Sequence, residues 1–245
     1  AAFAAGGLWA VIPGVMKAYL NVNEVISSIM MNYIGMYLVN YSVSLVLFDA
    51  LRNQSLPVAT TAVIPKMGFD KIFTGSPANG GFVIAILFVI LIYIILNKTS
   101  FGYEMKACGF NKDASKYAGI NEKRNIILSM VIAGALAGVG GGLLYLSGSG
   151  KFIEVVDVLP AEGFNGIPVA LLGLSNPIGV LFAGLFIAYL NVGGNAMQQF
   201  GFIPQIVDII ISCIIYCSAL SLMIKVWLSK RRKTKELGTA KKEGE

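Results

Sequence analysis

Residues 107–124 read "ACGFNKDASKYAGINEKR", and this stretch stands between the uncharged runs Ala78–Asn97 and Asn125–Gly150. About 20 apolar residues suffice to cross a bilayer as a helix, and each flanking run reaches that length. A chain that crosses a membrane, gathers Gly, Asn and charge into eighteen residues, and crosses again carries a small polar element on one membrane face. Within it, Asn111 suits an N-cap, Asp113 falls in the first turn where the helix dipole favours an anion, and Gly119 suits the C′ position. That predicts a two-turn helix over about Lys112–Ala118, with Asn121 capping the next membrane helix. So short a helix is marginal in water. It is either an amphipathic linker lying on the membrane or a docking element gripped by a partner on that face.

Working outward, the remaining uncharged runs are Val25–Phe48, Gly163–Val207 and Ile209–Ile224. Hydrophobic residues make up 56% of the 245 and charged residues 13%, against roughly 25% charged in soluble domains. The fold class is therefore all-α, a polytopic membrane helix bundle. Ala1–Met16 is also apolar, but no Met and no positive n-region precede it, so it reads as the remainder of a membrane helix rather than a signal peptide. The expectation is an N-terminally truncated transmembrane domain over 1–225, including a polar region at 107–120, followed by a basic tail at 226–245.

Lys and Arg gather on the cytoplasmic side of membrane proteins. Six basic groups lie in 98–124 and eight from Lys225 onward, within a net charge of +6. Placing both segments inside makes Ala78–Asn97 run inward and Asn125–Ser147 outward. Asp49–Pro77 becomes an external loop, Val25–Phe48 runs outward, and Ala1–Met16 runs inward to Lys17. An even number of crossings must then separate residue 147 from the last helix, 204–224. Asn176–Pro177 offers the break, since proline disfavours helix at the residue before it. Gly163–Ser175 becomes a short descending segment of only ~20 Å, less than the ~30 Å hydrocarbon core. Backbone of that kind needs shielding by protein or a watery cavity, and broken helices commonly line transport pathways. About seven crossings result, one short or broken, with the C-terminus cytoplasmic in a multi-pass cell-membrane protein.

In "AGALAGVGGG" (133–142), Gly134, Gly138 and Gly142 recur at every fourth position. Such small-residue rows allow two helix backbones to approach closely. "SGSGKF" (147–152) resembles a phosphate-cradling loop only superficially: that loop needs Gly where Tyr145 stands and Ser or Thr where Phe152 stands. The chain has no P-loop of its own, no His and only three scattered cysteines, Cys108, Cys213 and Cys217. Metal sites built on His, His-based catalysis and a disulfide framework are excluded. The tail "KRRKTKELGTAKK" reads as an inside-facing charge run that meets anionic lipid headgroups, not as a nucleic-acid site.

"GFNKDASKYAGI" (109–120) followed by "LSMVIAGALAGVGGGL" (128–143) resembles the coupling region of bacterial ABC importer permeases for branched-chain amino acids, ribose-type sugars and nucleosides. "NEVISSIMMNYIGMYLVNY" (23–41) and "GFNGIPVALLGLSNPIGVLFAGLF" (163–186) are most similar to the nucleoside-type, or simple-sugar-like, members. The resemblance covers essentially the whole chain, and members carry further helices ahead of its first run. It implies a second permease subunit, cytoplasmic ABC ATPases that bind the ATP and Mg, and an external substrate-binding lipoprotein; no cofactor is expected on this chain. Gly109, Asn111, Ala114, Tyr117, Ala118 and Gly119 then become the ATPase-coupling residues.

A self-contained secondary transporter or channel is the competing class. Ion-coupled carriers usually place ionisable groups within the membrane, whereas the exceptions here, Glu24 and Asp208, fall near predicted helix ends. A membrane enzyme ranks last, for want of a nucleophile elbow or metal cluster. An uncharged path suits an uncharged polar cargo such as a nucleoside or a simple sugar, and Asn32, Asn165, Asn191, Asn195 and Gln198 are its candidate lining groups. Each has a plainer reading as a helix cap or interhelical hydrogen bond.

Overall fold

The uncharged runs form helices because nothing else satisfies the backbone in lipid. The computed structural model describes residues 1–49, 54–65, 79–148, 151–201, 203, 205–217 and 220. Among them, five helices are long and apolar enough to cross a membrane. These are α1 (Ala2–Leu20), α2 (Glu24–Val46), α3 (Gly81–Lys98), α6 (Glu122–Leu146) and α8 (Pro177–Met197). Between α3 and α6 lie two shorter helices, α4 (Ser100–Phe110) and α5 (Lys112–Tyr117). Two further short helices, α7 (Ala161–Leu172) and α9 (Gln205–Cys217), occupy the places of the remaining two expected crossings. The rest of the last expected span lies mostly outside the described residues, as does the whole basic tail 226–245.

The chain divides into two units, Ala1–Leu159 and Pro160–Glu245. The first is organised by α1 and α6, which run antiparallel. Ala2 meets Gly138 and Gly142 at one end, Gly14 meets Ile127 and Met130 further along, and the Lys123 ammonium lies 4.5 Å above the Tyr19 ring at the other end. Glycine permits this approach. A Cβ built on Gly138 would collide with the Ala2 carbonyl oxygen and one on Gly134 with the Gly6 carbonyl oxygen, so backbone touches backbone. Beside them Ala135 is 2% exposed. In lipid, where apolar side chains gain nothing from leaving water, such van der Waals contact is a main source of helix association.

At one end of this unit the connections are stitched together. A two-residue antiparallel pair, β1 (Phe48–Asp49) with β2 (Gln54–Ser55), departs from a purely helical chain and puts ordered structure in the expected external loop. Gln54 forms a further bridge to Glu154, and the Ser55 N–H donates to the Ile153 carbonyl at 2.8 Å. Asn40 donates to the Val156 carbonyl at 3.0 Å, and Asn79 to the Ser147 carbonyl at 2.8 Å. The end of α2, the start of α3 and the end of α6 therefore share one face. The α1–α2 turn and the α3-to-α6 connection share the other, where Lys17 pairs with Glu24 at 2.6 Å. This relative order is that of the expected threading.

In the second unit, α7 and α8 form a tight hairpin. Pro177 opens α8, and Asn176 caps it by accepting the Ile178 N–H at 3.1 Å. α7 ends at Leu172, with Gly173 as its C-cap, rather than at Ser175. Leu174 and Ser175 both adopt left-handed backbone, at φ 53° and 54°, a conformation that costs non-glycine residues roughly 1–2 kcal/mol each. The turn is held by hydrogen bonds from Ser175 N–H to the Ala170 carbonyl (2.9 Å) and from Asn176 N–H to the Gly173 carbonyl (3.1 Å). Gly173 and Gly179 touch through their backbones, and this leaves no room for a side chain at either.

Candidate functional site

The polar connection between α3 and α6 is built by short-range chemistry. α3 ends at Lys98; the Thr99 hydroxyl donates to the Ile95 carbonyl at 2.6 Å and accepts the Gly102 N–H at 3.2 Å, which starts α4. Gly102 lies so close to the backbone of Ile95 and Leu96 that any side chain would collide. The chain thus folds sharply back, and Lys106 donates to the Asn97 amide oxygen at 2.7 Å.

Asn111 is the joint between α4 and α5. Its N–H donates to the Ala107 carbonyl at 3.1 Å and so ends α4, while its side-chain oxygen accepts the Ala114 N–H at 3.1 Å and starts α5. Its own carbonyl accepts from the buried Ser115 hydroxyl at 2.8 Å. The far end closes with two reversed bonds, Gly119 N–H to the Lys116 carbonyl (3.1 Å) and Ile120 N–H to the Ser115 carbonyl (3.0 Å). Gly119 sits at φ 78°, the left-handed C′ position that this arrangement requires. Asn121 then caps α6 through the Arg124 N–H at 3.2 Å. The six residues of α5 are therefore fixed by caps on both sides rather than by their own helix stability.

Apart from the buried Ser115, the side chains of this element are exposed. Tyr117 is 94% exposed, and Ala114 and Ala118 are exposed beside it. Nothing lies within 4 Å of a Cβ placed on Gly109 or Gly119. Gly109 belongs to the last turn of α4, and the other five sequence-selected residues belong to α5 and its caps. Phe110, which sequence reasoning did not select, is 91% exposed one residue before Asn111. A large apolar side chain in a charged connection was the available signal. Two aromatic groups projecting from an otherwise small, polar surface can fill pockets on another protein, the arrangement in which aromatic anchors concentrate binding energy. Lys112 lies 3.8 Å from Glu122, a loose surface pair of little energetic weight.

Behind α5 lies a second feature the sequence did not announce. Asn125, in the first turns of α6, is 2% exposed. Its amide donates to the Glu104 carboxylate at 3.2 Å and approaches the buried Cys108 sulfur at 3.8 Å, both on α4. Among the described residues its amide oxygen has no partner; a buried unmet acceptor costs about 1–3 kcal/mol.

The candidate path residues are distributed. Asn32 is an exposed residue of α2 in the first unit. The other four are in the second unit, where Asn165 is exposed on α7. Gln198 donates to Asn195 at 3.2 Å, which brings these two together. Asn191 donates to the Ile187 carbonyl of its own helix at 3.1 Å. Glu24 is the first residue of α2 and is paired with Lys17; Asp208 lies in the first turns of α9. Among the described residues no group of three His, Cys, Asp or Glu side chains could hold a metal ion. An apolar groove along α3 from Val83 to Ile95 is lined by that helix alone and offers no polar group to orient a solute.

The family described as "branched-chain amino acid transport system / permease component" matches residues 1–219. A nucleoside ABC transporter permease protein of Lactococcus lactis subsp. cremoris is 38% identical over 98% of this chain and 67% of its own length. A guanosine ABC transporter permease protein of Bacillus subtilis is 38% identical over 95% of this chain and 66% of its own length. A glucose ABC transporter permease protein of Haloferax volcanii is 30% identical over 88% of this chain and 58% of its own length. The chain thus spans about two thirds or less of the curated relatives it matches. No solved structure matches it. With five membrane-length helices joined by a capped, outward-facing polar element, and a family match that runs through all of them, this chain belongs to the family of permease components of the branched-chain amino acid transport system type.

Proposed function

We propose that this chain is the transmembrane permease subunit of an ATP-binding-cassette importer that carries nucleosides across the bacterial cell membrane. The observation that carries the reading is 38% identity, over 95% or more of the chain, to two permeases named for nucleoside and guanosine transport. In this reading a separate cytoplasmic ATPase binds ATP and Mg and grips α5, with Phe110 and Tyr117 as anchors and the open positions at Gly109 and Gly119 admitting close approach. A second permease subunit completes the membrane pathway, and an external lipoprotein delivers the substrate. The α1–α2 turn, the α3-to-α6 connection and the basic tail face the cytoplasm, as their Lys and Arg content favours. The stitched end carrying β1 and β2 faces outward. Asn32, Asn165, Asn191, Asn195 and Gln198 are the polar groups proposed to line the path of an uncharged cargo.

Simple sugars are the second reading, favoured by the 30% identity to the archaeal glucose permease. Competition separates the two. Uptake of labelled guanosine by cells making the complete transporter should be suppressed by unlabelled nucleosides and not by ribose, glucose or galactose. Suppression by a hexose alone would assign the sugar reading.

A further inference from the structure

We infer that Asn125 is a positioning residue: its amide, set against Glu104, forms a half-satisfied lock that ties the two helices flanking α5 and opens and closes as the coupling element moves. The inference rests on the reading of α5 as the ATPase-docking helix.

α5 is too short to carry force by itself, so displacement at Tyr117 reaches the membrane through its neighbours, α4 and α6. Besides backbone continuity through Asn111 and Asn121, a buried polar contact joins those two helices, the Asn125 amide on α6 against Glu104 and Cys108 on α4. With Asn125 2% exposed, water does not substitute readily for a broken bond there.

The pair is incomplete by its chemistry. An ionised carboxylate only accepts hydrogen bonds, so Glu104 can serve the Asn125 N–H but not the Asn125 oxygen. Among the described residues that oxygen meets no donor. A fully satisfied pair would hold α4 on α6 more tightly, and an apolar pair would hold it less. One bond made and one acceptor unmet gives a contact with a small difference between closed and open states, which is what a two-state element biased by a partner needs.

Two substitutions push the lock in opposite directions. Asn125→Leu keeps the γ-branched shape with a somewhat larger volume and removes both the donor and the orphaned acceptor, leaving a partly exposed Glu104 free to meet water. Glu104→Gln supplies the missing donor: its amide oxygen accepts from Asn125 while its N–H donates to the Asn125 oxygen, which closes a reciprocal amide pair.

The test uses the complete transporter with its ATPase, substrate-binding protein and partner permease. In it Cys108 is the one remaining thiol, and its labelling by maleimide during ATP turnover reports opening. Asn125→Leu should label faster and Glu104→Gln slower than the parent. In Asn125→Leu, nucleoside imported per ATP hydrolysed should fall roughly fivefold or more, the lower range of a coupling contact. Glu104→Gln should keep the parent ratio and turn over more slowly. A purely structural role would alter yield and leave the Asn125→Leu ratio and the labelling rates of both variants unchanged; a parent ratio in Asn125→Leu, or parent labelling rates in either variant, overturns the lock. If the parent subunit fails to retain the ATPase on purification, the docking reading itself falls, and the lock with it.

Discussion

Gly6 and Gly7 are adjacent in α1 and differ in what an added methyl would meet. At Gly6 the new Cβ would collide with the Gly134 carbonyl oxygen and lie 2.9 Å from the Gly138 Cα and 3.0 Å from its nitrogen. All three are backbone atoms of α6, so no rotamer change relieves the clash; the helices must separate. At Gly7 the nearest atoms are the Ala135 Cβ at 3.5 Å and the Val131 Cγ1 at 3.6 Å, ordinary contact distances. Replacing glycine by alanine within a helix gains about 0.5–1 kcal/mol at either position. The difference between Gly6→Ala and Gly7→Ala therefore isolates overpacking, about 1–3 kcal/mol, or roughly a 5- to 150-fold shift in the folded fraction. Titrating the purified subunit from a mild into a denaturing detergent, with helix content as the signal, measures it. Gly7→Ala should unfold at or above the parent midpoint and Gly6→Ala below both. Equal midpoints for the two variants would refute the backbone contact between α1 and α6.

At Gly119, where space is open but φ is 78°, leucine should cost about 1–2 kcal/mol through backbone strain alone. Gly119→Leu should weaken ATPase co-purification, with Gly119→Asn milder because asparagine tolerates that region; equal retention by both would mean that residues 111–119 are a linker. Ser175→Gly should stabilise the α7–α8 turn by up to about 1 kcal/mol, the relieved strain less the added chain entropy, and a lowered thermal midpoint would contradict it. Epitope tags within 110–118 and after residue 235 should be reachable only from the cytoplasm and a tag near Gln54 only from outside. Finding Gln54 on the same side as the tail would overturn the threading.

The helices, α5 among them, were legible because local chemistry specifies them. Runs without charge mark the spans, and Asn111, Asp113 and Gly119 bracket α5 at fixed offsets. Pro177 marks the start of α8 in the same way. What one stretch cannot encode is its partner. The glycine row at 134, 138 and 142 announces a close helix contact, but only the fold shows that Gly6 and Ala2 supply the other face. The link from Gln54 to Glu154 joins residues a hundred positions apart, and nothing local signals it. Leu174 and Ser175 were unreadable for a different reason: their left-handed backbone is imposed by the contact of Gly173 with Gly179 and contradicts their own preferences. Asn125 sat inside what reads as an uncharged run, and only burial distinguishes it from an interfacial amide. The candidate path residues remain a composition argument, with Asn195 and Gln198 alone brought into contact.

The helices α2, α5, α6 and α8 all begin with an asparagine, residues 23, 111, 121 and 176, whose amide oxygen accepts a first-turn N–H. On the proposed threading the three in the first unit, residues 23, 111 and 121, lie at the cytoplasmic headgroup layer, where anionic lipids set a surface potential of about −30 mV and concentrate protons roughly threefold. An aspartate cap there would be repelled by lipid phosphates and would see its pKa driven upward by the same negative field and by desolvation. A neutral amide does not titrate and is indifferent to lipid charge. These helix starts should therefore hold their form when the cytoplasm acidifies or the membrane changes its share of anionic lipid, leaving the charged side chains nearby, Lys and Arg together with Glu24, Asp113 and Glu122, as the groups through which this face senses its membrane.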